Sequence, residues 1–569
     1  MSQMHQPAPK APFMKRYGAL LAIVVVAVLV IAVVVVSKST TKSSSSSATT
    51  TTAASSAFHP AGVLSFSTAK AEGKLGSVDW GARCDTSRGK YAFPYESAGE
   101  CYAPFSGDNG GSTAQGVSSS EIKVVLYLSQ SNDPILNYIE SAIKDNATQA
   151  QTIDTMQHWV ELYNHYYEMY GRKVVLVPFV ATGASNDPVS ARADAVTIAT
   201  NIKPFAVWGG PPLTTAFADE LSARHVMCLN CGSATTQSYY SARAPYVWSL
   251  GMLPDQGITH LVNFLHNQVV GHPASFAGTS SLKTTTRKFG LITLSDTPTA
   301  NATLQANLST FKARGVPIAQ SVTYASPLDL QTSAPSLIAK LKSAGVTSVI
   351  FDGDPIAPQA LTRAATAQNW YPEWIISGSV LSDTAAFGRT YDQAQWSHAF
   401  GVSFGTARVA TSGLLNLYKW YFGSPPPDLT GAVVSYAPLA LFYPTLQGVG
   451  PDLTAQNFQN ALFAAKKPPK TLITMAMYTF GSKGIWPGTD FAGVDDGTEV
   501  WWNAKVSGPD ELGRPGTGLY EYVNGGRRYL PSQWPTTPTK AFQAQGAITI
   551  YPTAPAGEQP PSYPSPAGS

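Results

Sequence analysis

The chain has 569 residues, too many for one ordinary hydrophobic core, so two lobes with appendages are expected. Its net charge is only +3, charged side chains make up 13% of it, and no dense Lys/Arg cluster occurs in the body. That balance argues against a nucleic-acid partner and suits an exported protein better than a highly charged cytosolic one.

Residues 1–17 are polar, with Lys10, Lys15 and Arg16, and Gly18 to Val36 is an unbroken apolar run long enough to cross a bilayer. A cleaved signal peptide would have a shorter apolar region and a small-residue cleavage site, whereas Ser37-Lys38 follows here. The expectation is an uncleaved transmembrane signal anchor over 18–36, with 1–17 cytoplasmic and the body of the protein outside the cell membrane. Residues 37–57 are almost wholly Ser, Thr and Ala; they cannot build a core and read as a linker.

Residues 58–117 form an irregular extension that holds Cys84 and Cys101, and outside the membrane that pair reads as a disulfide. Cys228 and Cys231 sit at a strand end. A local disulfide ranks first for them, ahead of redox-active thiols or a metal site.

The regular architecture begins with the strand 121–129, apolar on both faces as parallel sheets require. Ile153, Met156, Val160, Tyr163 and Tyr167 then recur at helical spacing, as a core face does, and Gly171 ends that helix. Strands at 174–180, 205–208 and 225–229 alternate with helices at 188–200 and 214–223. A second series follows: strands at 289–294, 319–324, 347–351, 374–377 and 400–404, with helices at 299–314, from Pro335, and at 358–368. Such alternation means parallel strands joined by crossover helices, with ligands at the carboxyl ends of the strands. Two series imply two α/β lobes with a cleft between them. Helices at 413–422 and 431–448 come next, then late strands at 499–506 and 519–530, the second bent at the hairpin signal Asn524-Gly525-Gly526. Residues 546–569 are Pro-rich and expected to be disordered.

This order of elements resembles the type I periplasmic solute-binding proteins of ABC transporters, in the branched-chain amino acid (Leu/Ile/Val) group. The likeness spans about 118–530 and is carried by IKVVLYLS, PFAVWGGPPLTTAFADELSARHVMCLNCGSATT, KFGLITLSD, LIAKLKSAGVTSVIFDGDPIAPQALTRAATAQNW and VVSYAPLALF. It implies two Rossmann-like lobes, 118–253 with 407–480 and 254–406 with 481–545, joined by three crossovers near Pro254, Thr406 and Gly481. It also implies a small-molecule ligand in the cleft. On the first lobe Gly209, Gly210, Thr214, Ser233 and Thr235 would hold it, and amides and hydroxyls near helix starts suit an anionic group. The second lobe departs from the family: Asp354 stands where an aromatic residue is expected, and Ser379 where an acid would meet the ligand's ammonium. Asp352 or Asp354 would take over that role; Asp352 could equally cap its turn.

The implied partners are the ligand, the membrane and the membrane subunits of an ABC importer; no cofactor or metal is implied. A sensor ectodomain and an envelope structural protein with a dead cleft are the alternatives. An enzyme is the rival class, since Gly401 to Gly405 match G-x-S-x-G. All nine histidines precede Ser403, however, so the required order of acid and histidine is impossible. Zinc-protease, phosphate-loop and dinucleotide fingerprints are missing too. His158 and His165 read as surface or packing residues.

Overall fold

The chain passes between two β-sheets three times, and these passages place everything else. The computed structural model describes residues 58–568 except 59, 232–234 and 296–297. The stretches read as cytoplasmic segment, anchor and linker lie outside the described residues.

A short helix over Phe66–Ala71 precedes a small hairpin, β1 (Cys84–Asp85) with β2 (Lys90–Tyr91), closed by the disulfide Cys84–Cys101. The hairpin rests on the first lobe through Tyr91 and Phe93, which pack against Tyr166 and Tyr167. The extension read as irregular therefore has a folded centre.

The first sheet has strand order β4-β3-β5-β6-β7, all parallel: β3 (Glu121–Leu128), β4 (Lys173–Val180), β5 (Ala206–Trp208), β6 (Met227–Leu229) and β7 (Val247–Trp248). Its helices are α1 (Pro134–Ala142), α2 (Gln149–Tyr166), α3 (Pro188–Thr197), α4 (Ala216–Ala223) and α5 (Gln237–Ser241). Thr148 and Gln151 form a capping box that starts α2, whose Met156, Trp159, Val160 and Tyr163 are buried.

Helix α6 (Pro254–Gln268) carries the chain to the second sheet. There β8 (Phe289–Leu294), β9 (Ile318–Tyr324), β10 (Ser348–Asp352), β11 (Glu373–Ile376) and β12 (Ala399–Ser403) run parallel in the order β9-β8-β10-β11-β12. The helices between them are α7 (Pro298–Ala313), α8 (Leu330–Ser343) and α9 (Ala357–Ala367).

After β13 (Arg408–Val409) the chain returns to the first lobe as α10 (Leu414–Phe422), α11 (Leu429–Val434), α12 (Ala437–Val449) and α13 (Ala455–Ala464). Leu417, Leu439, Phe442 and Phe458 share a core with β3 and β5. The third passage brings β14 (Gly497–Pro509), β15 (Pro515–Tyr522) and β16 (Arg528–Tyr529) antiparallel onto the second sheet. Among the described residues the stretch long and apolar enough to cross a membrane is Leu429–Val449, and more than half of it is buried in the protein.

Several local expectations are corrected. The helix expected over 431–448 is two, because Pro438 has no N–H for the carbonyl of Val434. Helix α8 begins at Leu330, with Pro335 inside it. Asn524-Gly525-Gly526 does not join paired strands, since β15 and β16 both pair with β14. The hairpin turn instead lies between β14 and β15, where the Asp510 carboxylate accepts the N–H groups of Leu512 and Arg514, each at 2.9 Å.

The tail read as disordered is ordered from 546 to 568. Its β17 (Ile550–Tyr551) pairs in parallel with β13, and the Glu558 carboxylate accepts the N–H groups of Ile473 and Thr474. The Tyr563 hydroxyl then donates to Asp85 at 2.7 Å, while its carbonyl accepts the Trp420 indole at 2.9 Å. Proline richness prevents a core of its own but not docking along a strand edge.

Candidate ligand cleft

The loops at the carboxyl ends of the first sheet are stitched to one another. Asp133 caps α1 with one oxygen, accepting Ile135 and Leu136 N–H at 2.9 Å each, and with the other accepts Ser185 N–H from the loop after β4. Ser185 in turn gives its carbonyl to Leu213 N–H beyond β5. The Gly209 N–H donates to the Leu229 carbonyl at 3.1 Å. At Gly210 a β-carbon would lie 2.9 Å from the Cys231 carbonyl oxygen, so only glycine lets the loops after β5 and β6 meet.

Cys228 and Cys231 form a disulfide that holds the second of these loops. Both pairs of cysteines are therefore bridged, as the first-ranked reading had it. Thr214 sits just before α4, its hydroxyl accepting Ala216 N–H at 3.3 Å, and Thr235 is buried near the start of α5. Ser233 lies outside the described residues.

The second sheet presents acids at the same edge. Asp352 ends β10 and accepts the Ser377 hydroxyl at 3.1 Å; Ser379 beside it accepts Gly353 N–H at 3.1 Å. Asp354 is more fully engaged. One oxygen accepts Ile356 and Ala357 N–H at 2.9 Å each, at the start of α9, and the other accepts the Tyr324 hydroxyl at 2.5 Å. The capping role weighed for Asp352 thus belongs to Asp354. A β-carbon on Gly353 would collide with that same Tyr324 hydroxyl, so the turn between the two acids requires glycine.

A third acid, Asp383, went unnoticed in the sequence. It accepts the Ser403 hydroxyl at 2.5 Å, and Ser403 accepts only Gly405 N–H besides. Among the described residues no histidine bonds Ser403, and its hydroxyl serves an acid rather than a base. Burial raises the pKa of Asp352, Asp354 and Asp383, with hydrogen bonds opposing the rise. Among the described residues none of the three has a basic partner at ion-pair distance.

The two lobes meet through α1. It rises from the carboxyl end of β3, and the Tyr138 hydroxyl accepts the Gln331 amide at the start of α8, which follows the carboxyl end of β9. Ile143 is buried in the second lobe's core, and the Arg514 guanidinium donates to its carbonyl. The carboxyl edges of both sheets therefore face each other under this helix. Helix α1 was not read from the sequence, although Asp133-Pro134 is a helix-start signal.

No family model matches the sequence, and no curated protein matches it. Among solved structures, the leucine-, isoleucine-, valine-, threonine- and alanine-binding protein from Brucella ovis aligns over 74% of this chain and 99% of its own, with 14% identity and a TM-score of 0.51. The substrate-binding protein of a Streptococcus pneumoniae branched-chain amino acid transporter, in complex with isoleucine, covers 71% of this chain and 100% of its own at 13% identity, TM-score 0.48. A fatty acid ABC transporter substrate-binding protein from Thermomonospora curvata covers 72% and 94% at 16% identity, also 0.48. The first of these carries the assignment: the fold is that of the type I periplasmic solute-binding proteins.

Proposed function

We propose that this protein is a membrane-anchored, extracytoplasmic solute-binding protein that captures a small polar metabolite between its lobes for ABC-type import. The observation that supports this best is the facing of the two carboxyl edges. One carries the Gly210 amide and threonine hydroxyls, the other half-buried acids that have no basic partner among the described residues. Gly210, Thr214, Ser233 and Thr235 take the anionic or polar end of the solute, with Gly209 shaping their loop, and Asp352 with Ser379 takes a cationic or hydrogen-bonding end. Asp354 orients the loop from behind. An amino acid or an amide fits that polarity, and the Brucella ovis protein binds amino acids by its name.

Ligand capture converts into lobe closure through the three passages, a shift between open and closed populations. The membrane subunits of a transporter would read the closed form. None of the residues along the cleft is asked to do chemistry, so the protein is read as a binder and not an enzyme.

A thermal-shift screen of the full-length protein against amino acids, amides, polyols and small carboxylates tests this. A true ligand at a hundredfold excess over its dissociation constant stabilises by about 2.7 kcal/mol. No shift in any class, together with no retained small molecule by mass spectrometry, overturns the reading.

A further inference from the structure

Where the first and third passages run side by side, two carboxylic acids meet with no base between them. Asp490 and Asp495 lie in the segment from α13 to β14 and are 1% and 0% exposed. Asp490 Oδ1 accepts Ala492 N–H at 3.1 Å, the Gln256 amide at 2.9 Å and the Gln237 amide. Gln256 belongs to α6 and Gln237 to α5, and Gln237 Oε1 accepts Phe491 N–H in return. Asp495 accepts the Thr479 hydroxyl at 2.7 Å on one oxygen and the Trp486 indole at 2.8 Å on the other. Asp490 Oδ2 is buried and receives no N–H or O–H from the described residues, and the Asp490 and Asp495 carboxyls lie within hydrogen-bonding reach of each other. Ionised carboxylates only accept, so the contact closes only with a proton between them.

Among the described residues, the charged and titratable groups around the pair are all engaged elsewhere. His260 of α6 is buried and neutral: Nε2 donates to the Asp495 carbonyl at 3.1 Å, Nδ1 accepts the Trp534 indole at 3.0 Å, and burial holds its pKa down at about 3. Arg528 of β16 is engaged by Asp496 at 2.8 Å and by the Phe404 and Gly405 carbonyls. Asp255, opening α6, accepts Gln237 N–H and adds another acid, and the Tyr478 hydroxyl donates to the Leu250 carbonyl.

We propose that Asp490 and Asp495 share one proton and thereby brace the hinge, holding α5 of the first lobe, the start of α6 and the third passage together until the proton leaves. The brace needs no ligand and is independent of the solute-binding reading. Burial raises the pKa of both acids, that of Asp495 to about 8, and hydrogen bonds from their neighbours oppose the rise. The folded state therefore holds the proton where the unfolded chain has lost it. The pair's contribution is fully present in acid, wanes as pH rises above the ordinary carboxylate range, and is gone above about pH 8.

The test compares thermal midpoints of the full-length protein and Asp495→Asn from about pH 6 to about pH 9.5. The asparagine gives Asp490 an N–H that does not titrate, so the wild-type midpoint falls more steeply with pH than the variant's; equal slopes overturn the shared proton. Spin labels on Lys173→Cys and Lys340→Cys, one exposed site on each lobe, report the hinge. The interlobe distance lengthens above the transition in the wild-type background and stays fixed with Asp495→Asn. A distance that ignores pH overturns the brace even where the midpoints differ. Should Asp495→Asn fail to fold, Asp490→Asn makes the same comparison and must show the same loss of slope.

Discussion

The Tyr324 hydroxyl donates to Asp354 at 2.5 Å and accepts the Asp354 N–H at 3.0 Å, so the end of β9 and the turn after β10 are clasped by a single phenol. With the Ile356 and Ala357 N–H groups, Asp354 accepts three hydrogen bonds from the protein itself.

Asp354→Ala removes a helix cap and leaves the Tyr324 hydroxyl without its acceptor. The expected loss is about 1–3 kcal/mol of stability, read by urea unfolding of the full-length protein. A variant that unfolds at the wild-type urea concentration would show that the cap holds nothing.

Asp352→Asn acts differently. Its carboxylate accepts one hydroxyl from Ser377, so stability changes by less than about 1 kcal/mol. Binding of a cationic solute, by titration calorimetry, weakens by about tenfold or more, the value of a hydrogen bond to a charged group. Unchanged affinity removes Asp352 from the site.

Arg287 and Glu373 form a buried ion pair in the second lobe, bonded at 2.7 and 2.9 Å with side chains 2% and 0% exposed. Glu373 also accepts the Ser348 hydroxyl at 2.7 Å and Phe276 N–H at 3.1 Å. Arg287→Ala strands that carboxylate and costs about 3–5 kcal/mol. Replacing both partners by apolar residues recovers part of the loss, and a double-mutant cycle measures how much.

Glu499 on β14 is buried, which raises its pKa to about 7, the Thr539 hydroxyl opposing the rise. The folded state keeps the proton above the pH at which the unfolded chain has released it. Stability is therefore fullest below about pH 4 and falls as pH climbs to about 7, by a sum on the order of 3 kcal/mol. Glu499→Gln flattens this part of the stability profile in denaturant titrations at several pH values; a profile as steep as the wild type's assigns the slope elsewhere.

The two sheets were legible because β-branched runs such as Val124-Val125 and Val349-Ile350 alternate with helical periods, a pattern set within one strand or helix. The expectation of a cleft at the strands' carboxyl ends came from that alternation too. The capping role of Asp354 did not, because it depends on how β10 sits beside β8 and β8 beside β9. Only that register brings Tyr324 to Asp354. Helix α1 was missed for a related reason: Tyr138, Ile139 and Ile143 find their neighbours on the other lobe, and a short run of apolar residues says nothing of so distant a surface. The acid pair at the hinge was invisible likewise, since Gln237 and Gln256 reach it from far earlier in the chain.

Tyr563 and Asp85 give the molecule a mechanical polarity. The first and last described stretches both rest on the lobe built from β3 to β7. The other lobe is suspended from the hinge passages, the α1 contact and the middle of the tail. A load applied through both stretches bypasses the lobe built from β8 to β16.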